Sequence, residues 1–153
     1  MPTPLPHRYG VALAWEGHGG ARLTSGSRPA IEGGAPPEFD GRAEWWSPEH
    51  LLLSSLSLCL MTTFRAVAEK ARLRLAGYES QAEATLDRIS AGIGFTRLVL
   101  HVQVKVYEPE DVERARNLLT KAKTHCIVAN ALMPPVHLDA AVTTVTALAT
   151  LTA

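Results

Sequence analysis

The chain has 153 residues, enough for one domain of ordinary size with a buried core. Fifteen basic residues balance fifteen acidic ones, and this zero net charge argues against nucleic acid or an anionic membrane as the main partner. The two cysteines, Cys59 and Cys126, are too few for a disulfide-stapled scaffold or an all-cysteine zinc site. They suffice for one redox pair.

The proline-rich start of the chain predicts a flexible arm over residues 1–9, followed by a single domain over residues 10–153. The arm has no apolar run of the kind that a secretory signal requires. We therefore expect a cytoplasmic protein, and a cysteine pair in the cytoplasm is more often reactive than structural.

Alternating apolar residues predict a strand from Gly10 to Glu16, and a glycine-rich turn joins it to a second strand from Ala21 to Ser25. Glycine and proline then dominate residues 26–46. Long connections of this kind are usually functional, and we expect this one to hold a short strand near Ala30-Ile31.

The segment Ser47-Pro48-Glu49 predicts a helix start, since serine caps well, proline fits the first turn and glutamate complements the helix dipole. The helix is predicted to run to about Leu75, with Gly77 as its stop. Its segment Leu51–Phe64 is apolar nearly all round, which predicts a central helix covered on several sides. These fourteen residues are fewer than the roughly twenty that span a bilayer, so we expect no membrane span.

The second half of the chain predicts three strands and two helices, which together indicate an α+β fold with antiparallel pairing. In the clearest strand, every second residue from Leu100 to Val106 is apolar and is predicted to face inward. In chain order we predict a strand Tyr78–Ile89, a turn at Ser90–Gly94, a strand Leu98–Tyr107, a helix from Glu108 to about Thr124, a short helix Cys126–Met133 and a strand from Val136 to about Val145.

Each cysteine has a structural and a chemical interpretation. Cys59 lies midway along the apolar helix, as a small buried hydrophobic residue would. Cys126 opens the short helix directly after His125, a position that favours the thiolate but also suits a packed residue. If the two meet, one sulfur takes an oxygen from an oxidant as sulfenic acid and the other condenses with it to a disulfide.

Three motifs in order resemble those of the OsmC/Ohr family, the osmotically inducible protein C and organic hydroperoxide resistance proteins. The first is Trp46–Leu52, with its Ser-Pro-Glu helix start, followed by Cys59 ten residues after Glu49. The second is Ala122–Leu132, around Cys126, and the third is the strand segment Phe95–Leu100. The resemblance covers roughly residues 10–140.

This resemblance implies antiparallel sheets around two long central helices in an intertwined homodimer. It also implies a cysteine-based peroxidase that reduces organic hydroperoxides, and for some members hydrogen peroxide, in oxidative stress defence. Cys59 would be the peroxidatic residue, Cys126 the resolving one and Glu49 the active-site glutamate, with an external dithiol as reductant and no cofactor. Ten helical residues rise about 15 Å, so Glu49 of a second chain reaches Cys59 more easily than Glu49 of the same chain.

One feature departs from the family pattern, because neither position that holds the family's active-site arginine is arginine here. The aligned residues are His18 and Glu38. Arg22 and His18 are the candidate charge partners, each with the alternative of a solvated surface residue. The alternative function is therefore an OsmC-like small-molecule-binding protein with weak or no peroxidase activity.

The remaining candidates concern the substrate and a metal. Trp46 and Phe39 are the candidate substrate-binding residues, and such aromatic residues also pack commonly against a partner element. The histidines His50, His125 and His137 lack the spacing of a metal site, so we expect no metal.

Overall fold

The computed structural model describes residues 3–145. The predicted N-terminal arm is described from Thr3 onward, and the last residues of the predicted domain, 146–153, lie outside the described range. The regular elements are β1 (Ala12–Ala14), β2 (Ala21–Thr24), β3 (Ile31–Gly33), a 3₁₀ helix (Pro37–Phe39), α1 (Pro48–Lys70), β4 (Leu75–Ile89), β5 (Gly92–Val106), α2 (Asp111–Thr124), α3 (Ile127–Ala131) and β6 (His137–Thr144). They fall into two compact units that divide at Leu51 and Leu52, and the prediction of one domain over residues 10–153 stays a prediction.

The first unit contains a small antiparallel sheet in the order β1-β2-β3. It confirms the predicted hairpin, with Leu13 opposite Leu23, and the short strand expected near Ala30-Ile31. Gly33 in β3 lies against the backbone of Trp46, where an added Cβ would meet the Trp46 carbonyl oxygen at 2.8 Å. This close approach fixes the chain just before α1.

Helix α1 begins as predicted. The Ser47 side chain accepts a hydrogen bond from the amide of His50 at 3.3 Å, and the Ser47 carbonyl accepts one from Leu51 at 3.0 Å. Pro48 occupies the first helical position and Glu49 lies in the first turn. The capping serine is itself buried, so the helix start is held firmly.

The end of α1 corrects the prediction, because the helix stops at Lys70 and not near Leu75. Arg72 has a φ of 54°, the left-handed conformation that closes a helix. The amide of Leu73 bonds the Ala68 carbonyl and the amide of Arg72 bonds that of Glu69, each at 2.9 Å, which is the Schellman pattern. Gly77, the predicted stop, instead lies in β4 beside a register shift.

The second unit contains a sheet in the order β4-β5-β6. Strands β4 and β5 form a long antiparallel hairpin that closes at Ile89 and Gly92, a tighter turn than predicted. Strand β6 pairs with β5 in parallel, which corrects the expectation of wholly antiparallel sheets. The reason is the connection: α2 and α3 lie between β5 and β6 and return the chain to the same end of the sheet.

The core of the second unit confirms the predicted inward face of β5, since Leu100, Val102, Val104 and Val106 are all buried. Four residues of α1 at helical spacing pack on this core: Leu56, Leu60, Phe64 and Ala68. Helices α2 and α3 add small and apolar residues such as Ala115, Leu119 and Ala129. The α+β fold class is therefore confirmed.

The described residues of this chain cover helix α1 on one side only, so cover on its other sides stays a prediction. Within the described residues it is the single helix long and apolar enough to cross a membrane, a property that core helices of soluble proteins share. Only 22% of its most apolar stretch is buried in the chain, and Leu58 is 59% exposed. Its polar residues are satisfied locally, as where Thr62 bonds the Leu58 carbonyl at 2.9 Å.

Candidate active site

Cys59 lies in the middle of α1, between the buried residues Leu56 and Leu60. Its side chain is half-buried and packs against the core of the second unit. A thiol at this position is accessible enough to meet a small molecule, yet it is held in one place by the helix.

Cys126 is fully buried, with 0% of its surface exposed, and it caps the N-terminus of α3. Helix α2 ends at Thr124, and the amide of His125 bonds back to the Ala122 carbonyl at 3.1 Å. Helix α3 is shorter than the predicted Cys126–Met133, because Leu132 is already extended. The turn between α2 and α3 thereby delivers Cys126 into the core.

The structure brings the two cysteines together, although they are far apart in the sequence. Both are free thiols, and the Cys59 side chain lies close enough to Cys126 to contribute to its raised pKa. Burial raises the pKa of the Cys126 thiol, the amide of Ala129 lowers it, and the neighbouring Cys59 raises it further. Of the two interpretations of Cys126, the structure fits the packed residue, because burial outweighs the helix start and His125 is exposed.

Tyr78, at the start of β4, belongs to the surroundings of the cysteine pair. Its ring lies 6.0 Å from that of Phe64 in α1, centre to centre, and it packs against the same core. Burial raises the pKa of Tyr78, the Ser80 side chain opposes this, and negative charge on Cys126 adds to it. Tyr78 could not be singled out from the sequence, because it opens the weaker strand pattern and no motif marks it.

The raised pKa values of Cys126 and Tyr78 predict that the reduced protein loses stability at alkaline pH. When folding raises the pKa of a group, that group stabilises the fold fully at pH values below its unfolded pKa. This contribution is lost as the pH rises through the pKa of the folded protein. The ordinary values are 9.0 for Cys126 and 10.0 for Tyr78. We expect the free energy of unfolding, measured by urea denaturation with a reductant present, to be level near pH 7 and to fall above about pH 9.

The matched control is Cys126→Ser, which changes the free energy of unfolding at every pH. It also removes the thiol's contribution to the alkaline slope of that free energy against pH, at most about 1.4 kcal/mol per pH unit. An equally steep alkaline loss in this variant would contradict the assignment to Cys126.

Glu49 is half-buried in the first turn of α1. Its Oε2 atom is inaccessible to solvent and has no hydrogen-bond partner among the described residues. A buried carboxylate oxygen without a donor is unusual and costly. Glu49 Oε2 is therefore an acceptor at the start of α1 that the described residues leave unsatisfied.

The two candidate charge partners lie on the first sheet. Arg22 is an exposed residue of β2 opposite Glu32, and His18 is exposed in the turn between β1 and β2. Both line an open groove of about 530 Å³ together with Glu16 and Glu32. Within this unit both candidates are thus solvated and have carboxylates close by.

The two candidate substrate-binding residues, Trp46 and Phe39, are both about half exposed. Trp46 lies edge-on to the His50 ring, with 6.4 Å between ring centres. Phe39 ends the 3₁₀ helix, which Asp40 closes in the left-handed conformation. Each therefore presents apolar surface in the first unit.

The histidines do not gather into a metal site. His50 Nδ1 is hydrogen-bonded to the Ser47 hydroxyl at 3.0 Å, and His125 and His137 are exposed. Among residues 3–145, no three histidine, cysteine, aspartate or glutamate side chains are placed to hold a metal ion.

Comparison with known families gives one match that spans most of the chain. Residues 41–141 match the family described as OsmC-like protein. A curated relative, the uncharacterized protein YmaD of Bacillus subtilis, is 25% identical over 108 residues, which are 68% of this chain and 71% of the relative.

Solved structures show the same fold. An OsmC-like protein of unknown function from Vibrio cholerae superimposes with a TM-score of 0.81 at 19% identity and covers 89% of this chain and all of its own. An organic hydroperoxide resistance protein from Elizabethkingia anophelis gives 0.74 at 18% identity and covers 94% of this chain and all of its own. At these identities the likeness shows the fold alone.

Proposed function

The chain belongs to the OsmC-like family, and from this premise we propose that it is a thiol-dependent peroxidase that reduces organic hydroperoxides in oxidative stress defence. The observation that carries the proposal is that a half-buried Cys59 lies close enough to the buried Cys126 to raise the pKa of that thiol. The family includes organic hydroperoxide resistance proteins, one of which is a fold neighbour.

The proposed cycle has two chemical steps. The Cys59 thiolate attacks the O–O bond of the hydroperoxide, so that the sulfur becomes sulfenic acid, and a proton converts the leaving alkoxide to the alcohol. Cys126 then displaces water from the sulfenic acid and forms the disulfide. An external dithiol reduces that disulfide and returns both thiols.

The raised pKa of Cys126 fits the resolving role, because a protonated, buried thiol does not compete for peroxide. Cys59 is the more accessible sulfur of the two, which fits the peroxidatic role. Hydrogen peroxide is a second candidate substrate, and the apolar surroundings of the pair favour a substrate with an organic tail.

We propose further that the working unit is a homodimer. The exposed side of α1 leaves apolar surface such as Leu58 uncovered, and a second copy would bury it. Glu49 of that second copy is proposed to orient the thiolate, with Arg22 or His18 as charge partner. The unpartnered Glu49 oxygen supports this role.

Trp46 and Phe39 are proposed to contact the organic tail of the substrate, since both present apolar surface. Because the charge is balanced, we propose neither nucleic acid nor a membrane as a partner. Two free thiols fit a reducing compartment, so we propose the cytoplasm as the location.

Multiple-turnover reduction of cumene hydroperoxide tests the proposal. With dithiothreitol as reductant, we expect the reduced protein to consume many equivalents of the hydroperoxide, because each disulfide formed is reduced again. The matched control is the same protein with its thiols alkylated by iodoacetamide, which should consume no more than buffer and reductant alone.

Equal consumption by the native and the alkylated protein would overturn the proposal. If cumyl alcohol, the product, still bound to such an inactive protein in calorimetry, the result would favour the alternative of an OsmC-like small-molecule-binding protein. The departure from the family's arginine is the observation that keeps this alternative open.

A further inference from the structure

An open groove of about 570 Å³ lies between α1 and α2, within the second unit. This volume is in the range of small-molecule binding sites. We call it the α1–α2 groove, and its floor contains Val67 of α1 and Leu118 of α2, which are half-buried and pack against the core. Because both side chains are held by the core and by their helices, the floor is an apolar surface in a fixed position.

The rim of the α1–α2 groove carries positive charge. Its exposed lining residues include Lys70, the last residue of α1, Lys121 in the last turn of α2, and His125. Among residues 3–145, neither lysine takes part in an ion pair, whereas Lys105 and Arg116 of the same unit do. The described residues that line the groove include no aspartate or glutamate. The two lysine charges therefore have no counter-charge within the groove.

The groove on the first sheet has a different charge pattern. Arg22 and His18 line it together with the carboxylates of Glu16 and Glu32. Positive charge in that groove is therefore already opposed by negative charge from the chain itself. Charge complementarity thus favours an anionic ligand in the α1–α2 groove and not in the groove on the first sheet.

The α1–α2 groove and the exposed apolar surface of α1 lie on different flanks of that helix. Thr63 and Ala66 line the groove together with Lys70, and these three residues recur at helical spacing after Cys59, on its flank of α1. Leu58, whose surface we propose that a second copy covers, is rotated by about 100° around the helix axis from Cys59. A second copy on the Leu58 side therefore does not account for the groove.

We propose that the α1–α2 groove binds an amphipathic organic anion, a carboxylate with an apolar chain. The chain lies on Val67 and Leu118, and the carboxylate pairs with Lys70 and Lys121. Ion pairs at exposed positions contribute little, so burial of the chain supplies most of the affinity and the lysines select an anion over a neutral ligand. The site needs no thiol chemistry, so the proposal goes beyond the proposed function and does not depend on it.

Calorimetric titration of the reduced protein with octanoate, and with 1-octanol as its neutral counterpart, tests the proposal. We expect octanoate to bind more tightly than 1-octanol. Lys70→Gln and Lys121→Gln should each raise the dissociation constant for octanoate about threefold, and the double variant about tenfold, since each substitution removes one exposed ion pair. The dissociation constant for 1-octanol should stay the same in all three variants. Added sodium chloride should weaken the binding of octanoate alone.

Lys123→Gln is the matched control. Lys123 also lies in the last turn of α2, where it complements the helix dipole as Lys121 does, but it does not line the groove. The same charge is removed, so an effect of net charge or of the dipole would appear in this variant as well. We expect its dissociation constant for octanoate to equal that of the unchanged protein, and thermal unfolding reports whether each variant keeps the fold.

Absence of octanoate binding to the unchanged protein would overturn the proposal, and so would equal affinities for octanoate and 1-octanol. Equal weakening of octanoate binding in Lys123→Gln would show an effect of charge at a distance and would also overturn it. If the double variant instead changes the dissociation constant of a homodimer in sedimentation and leaves octanoate binding unchanged, the occupant is a second copy and the proposal fails. None of these results bears on the proposed function, which peroxide turnover tests.

Discussion

Replacing Cys59 by serine should abolish the reaction with hydroperoxides. A serine hydroxyl is not ionised near neutral pH and lacks the nucleophilicity of a thiolate, so the rate of the first step should fall by a factor on the order of 10³ or more. The measurement is the consumption of one equivalent of cumene hydroperoxide by the reduced protein, followed together with its free thiols. In Cys59→Ser the remaining thiol, Cys126, should stay reduced because it is buried and protonated.

Thr63→Ser is the matched control for this variant. It lies one turn after Cys59 on the same helix, is half-buried and also changes one small side chain. It should react as the unchanged protein does. Loss of peroxide at the normal rate in Cys59→Ser would show that another group is the nucleophile, and oxidation of Cys126 in that variant would reverse the two proposed roles.

Replacing Cys126 by serine should separate the two steps of the cycle. The first equivalent of hydroperoxide should react at the normal rate, because Cys59 is intact. Without a resolving thiol, the sulfenic acid should then accumulate and be trapped by dimedone. With excess hydroperoxide it should proceed to sulfinic acid, which a dithiol does not reverse, whereas the unchanged protein should survive as the disulfide.

The serine hydroxyl in this variant enters a fully buried site, so its fold must be checked. Cys126→Ala, which adds no polar atom, provides that check and should show the same trapped sulfenic acid. Rapid return of the sulfenic acid to thiol in both variants, without added reductant, would contradict the resolving role of Cys126.

Local signals predicted the elements whose ends are set by nearby residues. Ser47 caps α1 through its own side chain, and the alternating apolar residues of β5 face the core as predicted. These features depend on the chemistry of a few consecutive residues, so the sequence alone specifies them.

The features that were mispredicted depend on tertiary structure. Helix α1 ends at Lys70 and is closed by Arg72 in the left-handed conformation, where glycine is usual, so nothing at Arg72 marked the stop. The parallel pairing of β6 follows from the path of α2 and α3 across the sheet, which no local pattern shows.

The candidate site was predictable in part, through the resemblance of its motifs. The spacing of Cys59 and Cys126 says nothing about their meeting, and the fold brings them near enough for Cys59 to raise the pKa of Cys126. The sequence could not decide between a thiolate and a packed residue at Cys126, because its burial depends on residues from α1 and β5 that surround it in space. Tyr78 was missed for the same reason.

Intact mass spectrometry after addition of one equivalent of cumene hydroperoxide to the reduced protein tests the central claim most directly. The account predicts that each chain loses two hydrogens and both free thiols, and that peptide mapping finds one disulfide between Cys59 and Cys126. Two unchanged thiols, or an oxygen retained on one cysteine while the other stays free, would contradict it.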